Sequence, residues 1–552
     1  MQKIYRAPGA GGQHQRQQHQ CAAKKKKKKK THQPAPPQQE RTPEDQTQHR
    51  TKGRQAPPPQ PEQPAIPPIM AQPVAPQATG PAALNVQIVD PTAAPEEQEE
   101  QEEREALIAE KMGDFDELED YEEQIAFFHE CLEQQLIDGE AALEMLEVLY
   151  EPSMRRGERE RFDALIQELR ARAPAAYAEE IMSMLEWRVT QTVVLQRTSA
   201  LEPLLQELAW SAGTNPQPVL RILDPLIYRG YTDPCFQTLK QAWPAMVKGL
   251  KQQEYDMMDE GLDEEDEDED WFYHEILEMG HSIIPIAVFA YLEQNQTLPV
   301  NKPLLERYIQ TILPAPPEYF EGFITLMLNP ESFQSTLDDF APDLWDYADE
   351  EGGEEDEDAH RERPPARTKL TDLTFVFLGH LHRDGGMAYT KAEMARNQLE
   401  HYLVQRQAGV LDSSVGGGFF GQFLSPIKSK EEREPPDHML CPDKYTLNRF
   451  IQNITGPLFT SNYYHLAAFL ECLPSWLDFL EARNLLDTQR HTDTLEDLRE
   501  VLDETAFIWA DFYDDPLPRE QVVRVWGLPE TWGQSTDAAF KDDDDDEFDD
   551  DE

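Results

Sequence analysis

Three observations predict an all-α chain. After residue 105, apolar side chains recur at steps of three or four, the period of a helix face. Gly, Pro and Asp punctuate those stripes at intervals suited to helical hairpins. No run alternates apolar and polar residues for long enough to make a strand.

The elements follow in order. Leu118, Tyr121, Ile125, Phe128, Leu132 and Leu136 form one stripe, broken at Asp138-Gly139. Leu143, Leu146 and Leu149 form the next, ending near Pro152, and Phe162, Leu165, Ile166 and Leu169 mark a third helix. Pro174 stands where a first-turn proline belongs, ahead of Tyr177, Ile181, Met184 and Leu185. Helices are then expected over 201–208, 219–227 and 236–250, the last kinked at Pro244. Further along, Thr390-Lys391-Ala392-Glu393 reads as a capping box for a helix that stops at Gly409. Helices are predicted over 443–454, 461–473, 475–486 and 494–512. Trp476, Phe479, Leu480, Phe507, Ile508 and Trp509 supply their core.

Charge divides the chain further. The whole carries 50 Lys+Arg against 106 Asp+Glu, a net charge of −56. Residues 1–95 hold 17 of the 44 prolines, many glutamines and 14 basic against 5 acidic residues, a composition that cannot bury a core. Four acidic runs, Glu96–Glu105, Glu254–Asp270, Asp338–Asp358 and Asp537–Glu552, repel themselves and are read as linkers or tails. The expected organisation is a disordered Pro/Gln/Lys-rich tail with an acidic end (1–105) and helical-hairpin repeats (106–253). An acidic linker (254–270), further helices (271–345) and an acidic, Arg/Pro-containing linker (346–368) come next. A C-terminal helical domain (369–530) with a loop at 411–438 and an acidic tail (531–552) complete it.

Hairpins open near residues 116, 157, 199 and 233, about 40 residues apart. This spacing resembles helical-repeat proteins of the tetratricopeptide and HEAT types over about 140 residues. The likeness is one of architecture: Trp187 and Trp210 are not followed by the Leu-Gly of the tetratricopeptide pattern. It implies an α-solenoid-like array that presents a concave face to a protein partner.

Several motifs bear on chemistry. The run Phe375–Asp384 delivers Gly379-His380-Leu381-His382-Arg383-Asp384. It resembles the last metal motif of calcineurin-type metallophosphoesterases and the His-x-His-x-Asp-His of metallo-β-lactamases. The resemblance implies His380, His382 and Asp384 as metal ligands of a hydrolase. The chain lacks the upstream phosphoesterase motifs, and Gly385 replaces the final histidine of the second pattern. The favoured reading is a helix over 372–383 ended by Asp384-Gly385-Gly386, with no metal site. Gly416–Gly421 contains Gly-x-Gly-x-x-Gly, but neither a preceding strand nor a following helix start is expected, so a loop is read. Asp256, Glu260, Gly261 and Glu267 match part of a calcium-loop template that has Met258 at its third position. No catalytic set and no cofactor is predicted.

The expected function is therefore a non-enzymatic protein–protein interaction scaffold. One alternative is an acidic, chaperone-like binder of basic proteins, and another is the metal-dependent hydrolase. Nucleic acid contact is expected only through Lys24, Lys25, Lys26, Lys27, Lys28, Lys29 and Lys30. That run is read equally as an internal partner for the acidic runs, or as the product of a start upstream of Met70 or Met112. Five scattered cysteines without Cys-x-x-Cys suit reduced thiols in the cytoplasm, or the nucleus of a eukaryote. No membrane span is expected, because the longest apolar run, Ile283–Leu292, is only about ten residues.

Overall fold

The computed structural model describes residues 95–259, 271–345, 365–411, 438–455 and 462–534, apart from positions 314, 342, 343, 511 and 513. The lysine run, the Gly416–Gly421 loop, Glu260 and Glu267 of the calcium-type template and the last acidic run lie outside them.

Among the described residues the fold is all-helical and no strand occurs. The first helices are α1 (Pro95–Asp116), α2 (Tyr121–Gln134), α3 (Gly139–Arg155), α4 (Arg159–Arg172), α5 (Pro174–Glu179) and α6 (Ile181–Val194). Next come α7 (Thr198–Ser211), α8 (Val219–Tyr228), α9 (Thr232–Asp259), α10 (Trp271–Gln294), α11 (Lys302–Ile309) and α12 (Glu318–Leu328). The last are α13 (Pro365–Arg383), α14 (Tyr389–Gln407), α15 (Lys444–Thr455), α16 (Tyr463–Ala482), α17 (Thr488–Glu504), α18 (Ala506–Ala510) and α19 (Pro516–Trp526). Many starts carry the predicted chemistry. Asp138 caps α3 by accepting from the Ala141 amide at 2.9 Å, and Pro174 occupies the first turn of α5. Gly409, at φ +66°, follows the end of α14.

Four expectations are corrected. The acidic run Glu96–Glu105 belongs to α1 instead of ending an unfolded tail; glutamate is a good helix former and favours a helix N-terminus. Residues 461–473 and 475–486, read as two helices split at Pro474, are the single helix α16. Pro474 has no N–H for the Leu470 carbonyl, and the Trp526 indole donates to that carbonyl instead, at 2.9 Å. The segment 494–512 is divided at Thr505 into α17 and α18, and Phe507 is 67% exposed while Trp476 and Trp509 are buried. The predicted capping box at Thr390 does not form. Thr390 Oγ1 donates to the Ile227 carbonyl at 2.9 Å, and Glu393 pairs with Arg396.

Buried apolar side chains make two clusters. One runs from Ile108 to Met184 within α1–α6. The other runs from Met182 to Trp532 and takes in side chains on both sides of the acidic segments 260–270 and 346–364. Helix α6 contributes to both, so the change of core falls inside a helix and not at a charge run. Most helix contacts join near neighbours in the chain, such as α6 with α7, α7 with α9, α9 with α10, and α13 with α14. Helix α8 adds long-range contacts to α14 and α16. The Ile276–Gln294 part of α10 is long and apolar enough to cross a bilayer, a longer stretch than Ile283–Leu292 suggested. Here Ile283, Ile284, Ala287, Tyr291 and Leu292 are buried, and α10 packs on α9, α11 and α14.

A buried polar seam holds the end of α8. The Tyr228 hydroxyl donates to Glu471, which also receives Lys391 Nζ at 2.7 Å; that ammonium lies 3.9 Å from the Tyr228 ring centroid. Next door, Arg229 forms a two-pronged pair with the fully buried Asp515, at 2.8 and 2.6 Å, and Tyr464 donates to the same carboxylate at 3.0 Å. Asp514, one residue earlier, faces Tyr150, Arg159, Glu186 and Asp515; burial raises its carboxyl pKa to about 6.

These adjacent aspartates should respond oppositely to loss of charge. Asp515→Ala leaves the Arg229 guanidinium buried without its carboxylate and should cost about 3–5 kcal/mol in denaturant melts. A raised carboxyl pKa means the native state holds its proton more tightly than the unfolded chain. The Asp514 contribution is therefore fully present below about pH 4 and is lost as pH rises through about 6. Asp514→Asn should be more stable than the parent above pH 7, by up to about 3 kcal/mol, with the advantage shrinking toward pH 4. Melts at pH 4 and pH 7.5 measure this; an equal effect at both would refute it.

Candidate functional site

His380 and His382 lie near the end of α13. Residues two apart on a helix are separated by about 200° around the axis, so their rings diverge. His380 Nδ1 meets Asp384 Oδ2 at 2.7 Å, and its ring packs against Phe377 and Phe479. His382 turns the other way, with Nδ1 2.9 Å from the Met387 carbonyl and its ring stacked 3.7 Å from Tyr389. The structure therefore pairs His380 with Asp384 but does not bring His382 to them. Among the described residues, no group of three or more His, Cys, Asp or Glu side chains is placed to hold a metal ion. Gly379 of the same motif has a packing role. A Cβ there would fall 2.8 Å from the Met327 carbonyl carbon, so glycine lets α13 lie directly on the end of α12.

That close approach helps build a groove. It has a volume of about 1310 Å³ and is open to solvent, with walls from α8, α10, α12, α13 and α14 and further residues from α6 and the start of α16. Each helix offers one stripe. On α14, Thr390, Glu393, Asn397, Glu400 and Val404 line it at steps of three and four along one face, with Met394, Arg396 and His401 beside them. Helix α13 gives Arg367, Thr371 and Phe375, each four residues apart, and α12 gives Phe320, Phe323 and Met327. Helix α10 adds Glu278, His281, Ser282, Pro285 and Phe289. Phe323 and Phe375 stack across the α12–α13 seam, 4.2 Å between centroids.

The floor carries a closed polar network centred on Arg396. Its guanidinium donates two bonds to Glu393, both 2.8 Å, and others to Glu400 and Asn397. It also lies 4.2 Å from the Phe375 ring centroid. Burial disfavours its charge, but Glu393 and Glu400 outweigh burial and hold its pKa above the ordinary value. Glu400 receives Thr371 at 2.7 Å and Thr374 at 3.2 Å, so its oxygens are engaged from both α13 and α14. At the rim, Arg221 pairs with Glu186 at 2.7 Å and His465 with Asp224 at 3.5 Å. Burial lowers the His401 pKa, favouring its neutral form.

These residues were not singled out from sequence. The available signal was the α14 stripe, whose polar members recur at helical spacing between equally periodic apolar ones. Thr390 and Glu393 match the common local pattern of a helix cap, which masks their place in the groove wall. The four described cysteines, Cys131, Cys235, Cys441 and Cys472, are buried free thiols away from the groove lining, and burial raises each of their pKa values.

Comparison with protein-family models, curated proteins and solved structures finds no match to this chain.

The floor network makes its own prediction. Arg396→Ala leaves Glu393 and Glu400 without their cation and should lower stability by about 3–5 kcal/mol. Arg396→Lys should recover only part of this, because an ammonium cannot reproduce the two parallel bonds to Glu393. Denaturant melts of the two variants compare them; full recovery by lysine would show that charge alone, without the fork, suffices.

Proposed function

We propose that this chain is a non-enzymatic helical scaffold that binds a segment of a partner protein in the groove between α8, α10, α12, α13 and α14. The groove itself carries the proposal. Its volume of about 1310 Å³ exceeds the roughly 300–1,000 Å³ of small-molecule pockets. Its walls mix exposed apolar surface with amides. Asn215 and Asn462 line it, and an amide side chain offers both the donor and the acceptor that a peptide backbone needs.

The floor supports binding over catalysis. Glu393 and Glu400 are committed to Arg396 and to threonine hydroxyls, which leaves them as structural carboxylates and not as a paired acid and base. The roughly 40-residue spacing of the first hairpins resembles that of tetratricopeptide and HEAT repeats, whose helix pairs frame a concave face, and this resemblance favours a binding role.

Ser282 provides a clean test. It lines the groove, is exposed, and donates to the Glu278 carbonyl of its own helix at 3.1 Å. Ser282→Trp should fill part of the groove without disturbing the core. Affinity capture with the tagged full chain should return defined partner proteins that the variant loses by at least tenfold. Equal recovery by parent and variant, at equal thermal stability, would refute the groove as the binding site.

A further inference from the structure

Resting on the groove as the partner site, we infer that the segment it takes carries an acidic side chain, seated on Arg367, at a fixed distance from an apolar anchor. What decides the charge is which lining groups still have bonds to give. In the floor, Glu393 and Glu400 are taken up by Arg396, and Glu400 also by Thr371 and Thr374. On α8, Arg221 and Asp224 stand one turn apart with opposite charge. Each has its own partner, Glu186 at 2.7 Å and His465 at 3.5 Å, so that wall favours neither sign. Glu278 of α10 is engaged as well. Arg367 differs. It is a half-buried lining residue whose guanidinium has no hydrogen bond or ion pair among the described residues. Only its backbone carbonyl is used, accepting from Thr371 at 3.1 Å.

Position gives that guanidinium its role. His382 stacks on Tyr389 while Thr371 meets Glu400, so α13 and α14 run antiparallel. Thr390, at the start of α14, bonds to Ile227 of α8, and Glu400 lies ten residues on, about 15 Å by helix rise. Arg367, one turn before Thr371, therefore sits at the groove end away from α8. The α8 charges are more than a Debye length away and do not neutralise it. A guanidinium presents a planar fork that a carboxylate fills with two parallel bonds. A cationic side chain brought to the same point is repelled. Phe375 lines the same wall eight residues along α13, about 12 Å away, and stacks on Phe323 across the seam with α12. An apolar side chain seated on that pair stands about 12 Å from a carboxylate on Arg367. That separation is about eight residues of helix or four of extended chain.

Phage selection against the immobilised full-length protein tests this, with a library of random peptides of about 16 residues, roughly 24 Å of helix. Peptides retained by the parent and lost by Ser282→Trp are the groove binders. They should share an Asp or Glu at a fixed separation from a large apolar residue. Arg367→Glu should instead select Lys or Arg at that position. In fluorescence anisotropy it should bind the parent-selected peptides more weakly by about tenfold or more. Lys240→Glu makes the same charge change at an exposed position of α9 outside the groove lining, and should leave their affinity unchanged. Thermal melts accompany each variant; if Arg367→Glu melts below the parent, Arg367→Gln replaces it and should lose the acidic preference. Groove binders without a shared acidic position, an unchanged acidic preference in the Arg367 variant, or an equal loss with Lys240→Glu would each overturn the inference. So would a library with no Ser282→Trp-sensitive peptide while that variant still abolishes partner capture, and the groove reading would survive. If Ser282→Trp changes neither peptide binding nor partner capture, the groove reading falls and the inference with it.

Discussion

The arrangement of this protein depends on the buried ionic seam at the end of α8. Arg229 reaches Asp515 across 286 residues of sequence, and Tyr228 reaches Glu471 across 243. Each carboxylate is buried, so each is costly alone and tolerable only with its partners in place. Because such groups need defined geometry, they admit one placement of α8 against α14 and α16 where apolar contact alone would tolerate several. Asp515 also accepts from the Leu517 amide at 3.1 Å, which ties the start of α19 to the same point. The seam thus converts neighbour-to-neighbour helix packing into a structure in which early and late helices share a core.

The groove is a consequence of that placement. Helix α8 forms one wall because the seam holds its end, and Thr390 adds a bond from α14 to the Ile227 carbonyl. On the opposite side, Gly379 brings α13 onto α12 and allows Phe323 and Phe375 to stack. Arg396 then braces α14 internally and links it, through Glu400, to Thr371 and Thr374 of α13. A concave surface with a rigid polar floor and partly exposed apolar walls is suited to recognising shape and side-chain pattern.

Much of the local structure was legible in the sequence. The stripe through Tyr121, Ile125, Phe128 and Leu132 is buried as its spacing requires, and Asp138 and Pro174 stand at helix starts. Local signals are overridden where another side chain or carbonyl claims the same group. Pro474 signals a break, yet α16 continues because Trp526 takes the freed Leu470 carbonyl. Thr390 and Glu393 fit a capping box, yet Ile227 and Arg396 claim their side chains. The histidine motif is the same lesson in chemical form. Two histidines at i and i+2 can share a metal at a strand end, but on a helix they point apart.

By itself the sequence determined that this protein is helical and where its charge is concentrated, because periodicity, propensity and composition act within a few turns of chain. Tertiary structure decided which stripes face one another, which acidic residues are neutralised by buried arginines, and where a cavity remains. Those outcomes depend on pairs such as Arg229–Asp515 and Tyr228–Glu471, whose members are hundreds of residues apart. No local pattern records such a pairing, since the energy that selects it appears only when both groups leave water together.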